Sequence, residues 1–435
     1  LKNAAVSPSI GLLNKGVDIA PGAVRVTSYY GHGYNYYSMG TDQKWNAEIL
    51  RVNKENGALS YENKGAGTTN GSYWNATVAV LANGFEAEDL IFENSFNQYI
   101  SKKESEDKVV MWASGSKGLR PTDIGNTAVQ NRSFVERAAA LAIGNNVDKT
   151  VLKKCRVIGR QDSFFGGNES RVVVYKGAVM GAVDYLFGGM IAVFYKTDLV
   201  MNTSDVSGDA AYLTAAQQGS GRGYLMYECK VTSPTPGVET ASAYRSKPGY
   251  FGRPWQATTS EVVFYNTTIE TSDFPGAEGK SLVEPLGWQN SLGGESKKMY
   301  EYGTIELSGV NNGASRAMWA TLLTTPVLTD GTDITTFNFT KGTDGWDPLP
   351  ALIAADVTSV RQRLPETAVK VHAFADKVYI SKVTARTNVR VYSINGTMTK
   401  AFDVYGDTDF PLAPGFWFIQ VQAADGIKTV KVTTF

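Results

Sequence analysis

Short apolar and β-branched runs recur through the middle of the chain at a period near 20 residues. Cys155-Arg156-Val157, Gly177-Ala178-Val179, Thr197-Asp198-Leu199, Cys229-Lys230-Val231 and Thr267-Thr268-Ile269 align, with apolar third members spaced 22, 20, 32 and 38 residues apart. Glu88-Asp89-Leu90 reads as an earlier copy. Several copies follow runs such as Arg171-Val172-Val173-Val174-Tyr175, Ala192-Val193-Phe194-Tyr195 and Glu261-Val262-Val263-Phe264-Tyr265. Repeats of this length, lengthened in places by insertions, predict an all-β chain wound as a right-handed parallel β-helix. A sandwich would place hairpin turns every ~8–12 residues, and tight-hairpin dipeptides are rare here.

Two segments break the rhythm. From about Asn97 to Val135 the chain is polar and charged, with Lys102, Lys103, Glu104, Glu106 and Asp107. It reads as an excursion from the coil, either bordering a site or simply solvated. From about Thr343 the pattern changes. Pro348, Pro350 and Pro365 punctuate a stretch with a helical candidate, Ala351 to Arg363. Short alternating strands then run from Val369 to Phe435, and Asn395-Gly396 between two of them signals a hairpin. The expected organisation is a β-helix domain over residues 1–348, a linker over 349–367 and a small C-terminal β-sandwich over 368–435.

Composition narrows the chemistry. Lys and Arg number 42 and so do Asp and Glu. A chain with no basic excess is not expected to take nucleic acid as its main partner. Cys155 and Cys229 are too few for a disulfide framework and read as buried free thiols, with a bridge between the two as the open alternative. The only histidines are His32 and His372. No zinc-ligand spacing and no Gly-x-Ser-x-Gly elbow occurs. Catalysis, if present, must therefore rest on carboxylates, amides and arginine. No apolar run reaches the length of a membrane span.

Two stretches carry that chemistry. One runs Gly159-Arg160-Gln161-Asp162-Ser163-Phe164-Phe165-Gly166-Gly167, and the other Gly181-Ala182-Val183-Asp184-Tyr185-Leu186-Phe187-Gly188-Gly189. Asp162 and Asp184 lie 22 residues apart, one period of the repeat. Neighbouring strands are about 4.8 Å apart, so one substrate group could touch both acids. Gly252-Arg253-Pro254-Trp255 follows about three coils beyond. Its arginine can clamp one carboxylate at two points and keep it ionised, which would raise the pKa of the other. One acid then serves as nucleophile or base and the other as proton donor, and the Gln161 amide can donate to an oxyanion. Taken singly, each residue has a duller role. Asp satisfies backbone donors in turns, Gln joins amide ladders, and Arg covers aromatic faces. The joint pattern outweighs those roles.

Gln161-Asp162-Ser163-Phe164, Asp184-Tyr185-Leu186-Phe187-Gly188 and Phe251-Gly252-Arg253-Pro254-Trp255 resemble the three signature blocks of the pectinesterases, carbohydrate esterases built on a parallel β-helix. Weaker likenesses are Leu213 to Gln217, Gly71 to Asn94, Glu301 to Gly303 and Phe337 to Trp346, so the resemblance spans roughly Gly71 to Trp346. It implies that Asp184 is the nucleophile toward a galacturonate methyl ester. It further implies that Asp162 exchanges protons with methanol and water, that Gln161 donates to the oxyanion, and that Arg253 holds Asp184. Trp255 and Phe187 would line the sugar cleft, with no metal or organic cofactor. The implied substrate is pectin, methyl-esterified homogalacturonan, handled by a monomer. Two departures stand out. Arg137 occupies a place where the family has Gln, adding a charge beside the developing anion. The family's Gly-x-Tyr-x-Glu block is absent, which raises the expectation that coils precede Leu1. Val389 to Gly396 and Gly415 to Val421 resemble the sorting domain of type IX bacterial secretion. That resemblance implies export to the surface or medium through a secretion machinery. An accessory sugar-binding or spacer sandwich is the plainer alternative for this domain. For the helix domain the alternatives are an esterase on another acyl group, a lyase or glycoside hydrolase on the same solenoid, and a glycan-binding solenoid without turnover.

Overall fold

The computed structural model describes residues 24–29, 31, 76–106, 121–131, 137–359, 367–394 and 397–435. His32, Asn395-Gly396, Arg363 and the middle of the Asn97–Val135 excursion lie outside them. Two compact units are present, Leu1–Leu352 and Ile353–Phe435.

Among the described residues of the first unit every strand pairs with its neighbours in parallel, and these strands sort into three sheets of eight, six and eight. Arg156–Ile158 lies in the first sheet, Phe164–Gly166 in the second and Arg171–Tyr175 in the third. The chain then returns to the first sheet with Ala178–Gly181 and repeats the circuit with Leu186–Gly188 and Ile191–Tyr195. This is a parallel β-helix. Its apolar columns match the sequence repeat, since Val157, Val179, Leu199, Val231 and Ile269 stand in register. All five are buried in one continuous core.

The earlier copy is displaced. Val157 pairs with Phe92, not with Leu90. Leu90 belongs to the column of Cys155, reached by the Arg156 N–H donating to the Leu90 carbonyl at 2.9 Å. A slip of two residues keeps every side chain on its own face, so the apolar pattern does not distinguish the two registers. The turns do distinguish them. Asp89, Lys154, Lys176, Lys196, Glu228 and Asn266 all take left-handed backbone at corresponding corners, with φ between 46° and 56°. Cys155 and Cys229 share the next column, three rungs or about 14 Å apart, which is too far for a disulfide. Both are buried free thiols, and burial pushes each up to about 12.

The runs that read as continuously apolar are buried on both faces. Val172 and Val174 point into the main core, while Val173 and Tyr175 face a second cluster with Leu328, Ile334, Phe339 and Leu349. Tyr175, Tyr195, Tyr227, Tyr265 and Tyr302 stack rung upon rung at 4.7–5.7 Å along that outer face. The covering segment is tied down by Arg171, which donates to the Thr340 carbonyl at 2.9 Å and pairs with Asp148 and Asp344. The last coils enclose a buried charge cluster. Arg316 pairs with Glu301 at 3.0 Å and Glu306 at 2.9 Å, and lies 5.3 Å from the Phe251 ring. Removing one partner of such a cluster strands buried charge. Arg316→Met is therefore expected to cost about 3–5 kcal/mol, read as a loss of denaturation midpoint. An unchanged midpoint would show the cluster to be dispensable.

The second unit has a three-stranded and a four-stranded antiparallel sheet. Val378 and Ile380 of one share a core with Val389, Val391, Ile419 and Val421 of the other, which makes a small β-sandwich. Strands Thr387–Ser393 and Met398–Val404, on either side of Asn395-Gly396, pair antiparallel. A helix spans Leu349–Ser359, beginning with the last residues of the first unit and ending with the first residues of the second.

Candidate active site

The six-stranded sheet positions the candidate residues. Its order runs Tyr250–Gly252, Tyr212–Ala216, Leu186–Gly188, Phe164–Gly166, Leu141–Ile143, Val78–Val80. Leu186 pairs with Phe164, so Asp184 and Asp162, each two residues earlier, fall at the same corner of adjacent rungs. Both have left-handed backbone, φ 60° at Asp162 and 50° at Asp184. Among residues with a β-carbon, Asp and Asn tolerate that region best. The corner thus suits the residue type that the chemistry needs. Gln161 bridges Val183 on one side and Arg137 on the other, and the Asp162 N–H donates to the Val183 carbonyl at 3.0 Å.

Arg253 approaches from two rungs beyond Asp184 and three beyond Asp162. Its Nε donates to Asp184 Oδ1 at 2.8 Å and its Nη2 to Oδ2 at 2.7 Å, a two-point clamp. Gly252 permits this approach. Its φ is +148°, and a β-carbon there would stand 2.1 Å from Thr214 Oγ1 and 2.2 Å from the Thr214 carbonyl oxygen. Any side chain would push the Arg253 strand off its neighbour.

The electrostatics differ from the expectation in one respect. The sequence predicts that the clamped acid stays ionised while its neighbour rises. Instead, burial pushes the Asp184 carboxyl above its ordinary value, with Arg253 opposing the push. Asp184 is buried as well as clamped, and desolvation of a carboxylate is the larger effect. Burial also pulls the Arg253 guanidinium down, but the hydrogen bonds and charge of Asp184, helped by the charge of Asp162, outweigh it and leave it raised.

Gln161, Asp162, Asp184 and Arg253 thus gather on one face, with Arg137 one rung before Gln161 and half-buried. Phe187 is half-buried on the rung of Asp184. Trp255 is 43% exposed, its N–H donating to the Ala216 carbonyl at 2.9 Å. Three contributors were not legible beforehand. Phe165 lies 4.8 Å from Phe187, centroid to centroid, and holds the same offset from Asp162 that Phe187 holds from Asp184. That shared offset was the available signal. Tyr212 underlies Arg253, its ring centroid 4.1 Å from the guanidinium carbon. A buried polar network backs the first motif. Gln98 Nε2 donates to the Gly159 carbonyl at 2.5 Å, and Arg160 donates to the carbonyls of Asn202 and Gln130 at 2.8 and 3.0 Å. Both ends of the excursion are therefore fastened to the residues just before Gln161.

A solenoid with two stacked acids and an arginine clamp on one sheet face defines a class, the parallel β-helix proteins with a carboxylate site. Residues 100–343, more than half of the chain, match the sequence profile of the family described as Pectinesterase, and the chain belongs to that family. It is similar to two curated Arabidopsis thaliana proteins. "Probable pectinesterase/pectinesterase inhibitor 16" is 25% identical over 287 residues, 65% of this chain and 43% of that protein. "Probable pectinesterase/pectinesterase inhibitor 35" is 26% identical over 298 residues, 68% and 44%. The chain thus spans less than half the length of these relatives. Among solved structures it is similar to pectin methylesterase from carrot, at 17% identity over 78% of each chain with a TM-score of 0.46. It is also similar to the Aspergillus niger enzyme, at 19% identity over 62% of this chain and 68% of that one, with a TM-score of 0.41.

Proposed function

We propose that this protein hydrolyses the galacturonate methyl esters of pectin, releasing methanol and leaving free carboxylates. The observation that carries the proposal is the two-point clamp of Arg253 on Asp184, one rung from Asp162. Asp184 attacks the ester carbonyl carbon, and negative charge develops on the carbonyl oxygen, toward which Gln161 donates. The bond to the methoxy oxygen breaks as Asp162 delivers a proton, and methanol leaves. The acyl group now sits on Asp184. Water attacks it, Asp162 takes the water proton, and the sugar carboxylate and Asp184 are released. Arg253 orients and charge-balances Asp184 throughout. Phe187 and Trp255 offer apolar faces to the sugar, and Arg137 adds positive charge on the rung next to Gln161. No metal or organic cofactor enters any step.

Purified full-length chain is expected to release methanol from highly methylated pectin without shortening it. No methanol from folded protein would overturn the proposal. Shortened chains or unsaturated products would favour a hydrolase or lyase on the same solenoid. We further propose that the protein acts as a monomer outside the cell or at its surface, with the C-terminal sandwich as its address for type IX export. Among the described residues no helix is long and apolar enough to cross a membrane. Export of the full chain, set against retention of a chain ending at residue 352, tests that address.

A further inference from the structure

We infer that Tyr212 is a positioning residue whose ring forms the shelf on which the Arg253 guanidinium lies while it clamps Asp184. The inference rests on the proposed esterase site, because it concerns how that site's nucleophile is held. Tyr212 occupies the rung after Asp184. Its N–H donates to the Ala182 carbonyl at 2.8 Å, and its carbonyl accepts from the Tyr185 N–H at 3.4 Å. Arg253 starts one rung further on, where Tyr212 pairs with Tyr250 and Thr214 with Gly252. To reach Asp184 its side chain must cross the rung of Tyr212. It does so with its guanidinium carbon 4.1 Å from the ring centroid, a close stacking distance. Tyr250 supports the shelf, stacked on Tyr212 at 5.4 Å with the planes 15° apart.

An arginine has many rotamers, and a clamp on a carboxylate works only when the guanidinium plane is fixed. At its far end Arg253 has the two bonds to Asp184 and a longer one from Nη1 to Ser291 Oγ at 3.3 Å. The Tyr212 ring supplies the restraint perpendicular to those bonds. Among the described residues, the charged and titratable groups that act on Arg253 include Asp184, Asp162 and Tyr212, and those that act on Tyr212 include Arg253, Tyr250 and Asp184. Without the ring, Arg253 opposes the burial of the Asp184 carboxylate less well. More of the protonated form follows, and a nucleophile that works ionised loses activity at a higher pH.

The test compares Tyr212→Leu and Tyr212→Phe with wild type in methanol release across pH, together with a crystal structure of Tyr212→Leu. The leucine variant is expected to lose about ten- to thirtyfold in kcat with KM within about twofold, the size of a partly desolvated cation–π contact. Its acidic limb should move to higher pH, and its crystal structure should show Arg253 out of two-point contact with Asp184. Phenylalanine keeps the ring and should stay within about threefold of wild type. Wild-type kcat and an unmoved limb in Tyr212→Leu would overturn the shelf, and so would a phenylalanine variant as poor as the leucine one. If wild type itself releases no methanol, the esterase proposal falls, and the crystal structure alone decides the shelf. A clamp intact without the ring would then overturn it.

Discussion

Asp184→Asn is expected to lose at least about ten-thousandfold in kcat for methanol release while remaining folded. Asparagine has almost the shape of aspartate and tolerates the left-handed backbone at φ 50°. It can still accept from Arg253 through its side-chain oxygen. What disappears is the anionic oxygen that would form the acyl bond. Removing the carboxylate also leaves Arg253 without its charge partner, but relieves the cost of burying Asp184 itself, the effect that pushes its carboxyl up. These changes oppose each other, so the melting temperature should move by only a few degrees. Far-ultraviolet circular dichroism and thermal melting check the fold, and methanol release checks the chemistry. Activity within about a hundredfold of wild type, in protein that melts normally, would place the nucleophile elsewhere. The raised Asp184 carboxyl also fixes the sign of the pH dependence. Activity should fail on acidification at a pH above that at which an ordinary aspartate protonates.

Much of this site could be read from spacing because the solenoid converts sequence distance into position. Asp162 and Asp184 are one coil apart, and a coil adds one rung, so their alignment followed from the period. The same conversion failed where the period was interrupted. Residues 202–211 lengthen the coil between Asp184 and Tyr212, so Tyr212 did not stand out as the next member of the acid column. The shelf under Arg253 was hidden for that reason. At Leu90 the failure had another cause. Alternation specifies which face a residue occupies but not which of two same-face registers it takes, and the left-handed corner at Asp89 was the feature that settled it.

Electrostatic outcomes were less legible than positions. A two-point arginine was enough to predict a clamp, and the clamp is present. It was not enough to predict the direction in which Asp184 shifts. That direction depends on how much solvent the loops exclude, and burial depends on contacts far apart in sequence. Gln98 on Gly159 spans 61 residues, and Arg160 on Asn202 spans 42. No local pattern encodes such contacts. The excursion beginning near Asn97 reads equally well as an idle loop, and among its described residues the hydrogen bonds to the residues just before Gln161 tie it to the site.

The two aspartates can be told apart by the leaving group. Asp162→Asn should lose about 10²–10⁴ in rate on methyl esters, the usual contribution of a positioned general acid. Methoxide is a poor leaving group and needs the proton. A nitrophenyl ester of galacturonate does not, because nitrophenolate departs unprotonated. With that substrate Asp184 should still be acylated in Asp162→Asn at close to the wild-type rate. Deacylation should remain slow, since the proposed mechanism also makes Asp162 the base that takes the water proton. The expected trace is a burst of about one nitrophenolate per enzyme followed by a slow steady state. Asp184→Asn should show no burst with the same ester. The φ of 60° at Asp162 is one that asparagine accepts, so misfolding does not confound the comparison. A nitrophenyl ester as badly affected as the methyl ester, with no burst, would mean that Asp162 acts before the leaving group departs. The division of labour between the two stacked acids would then have to be reversed or abandoned.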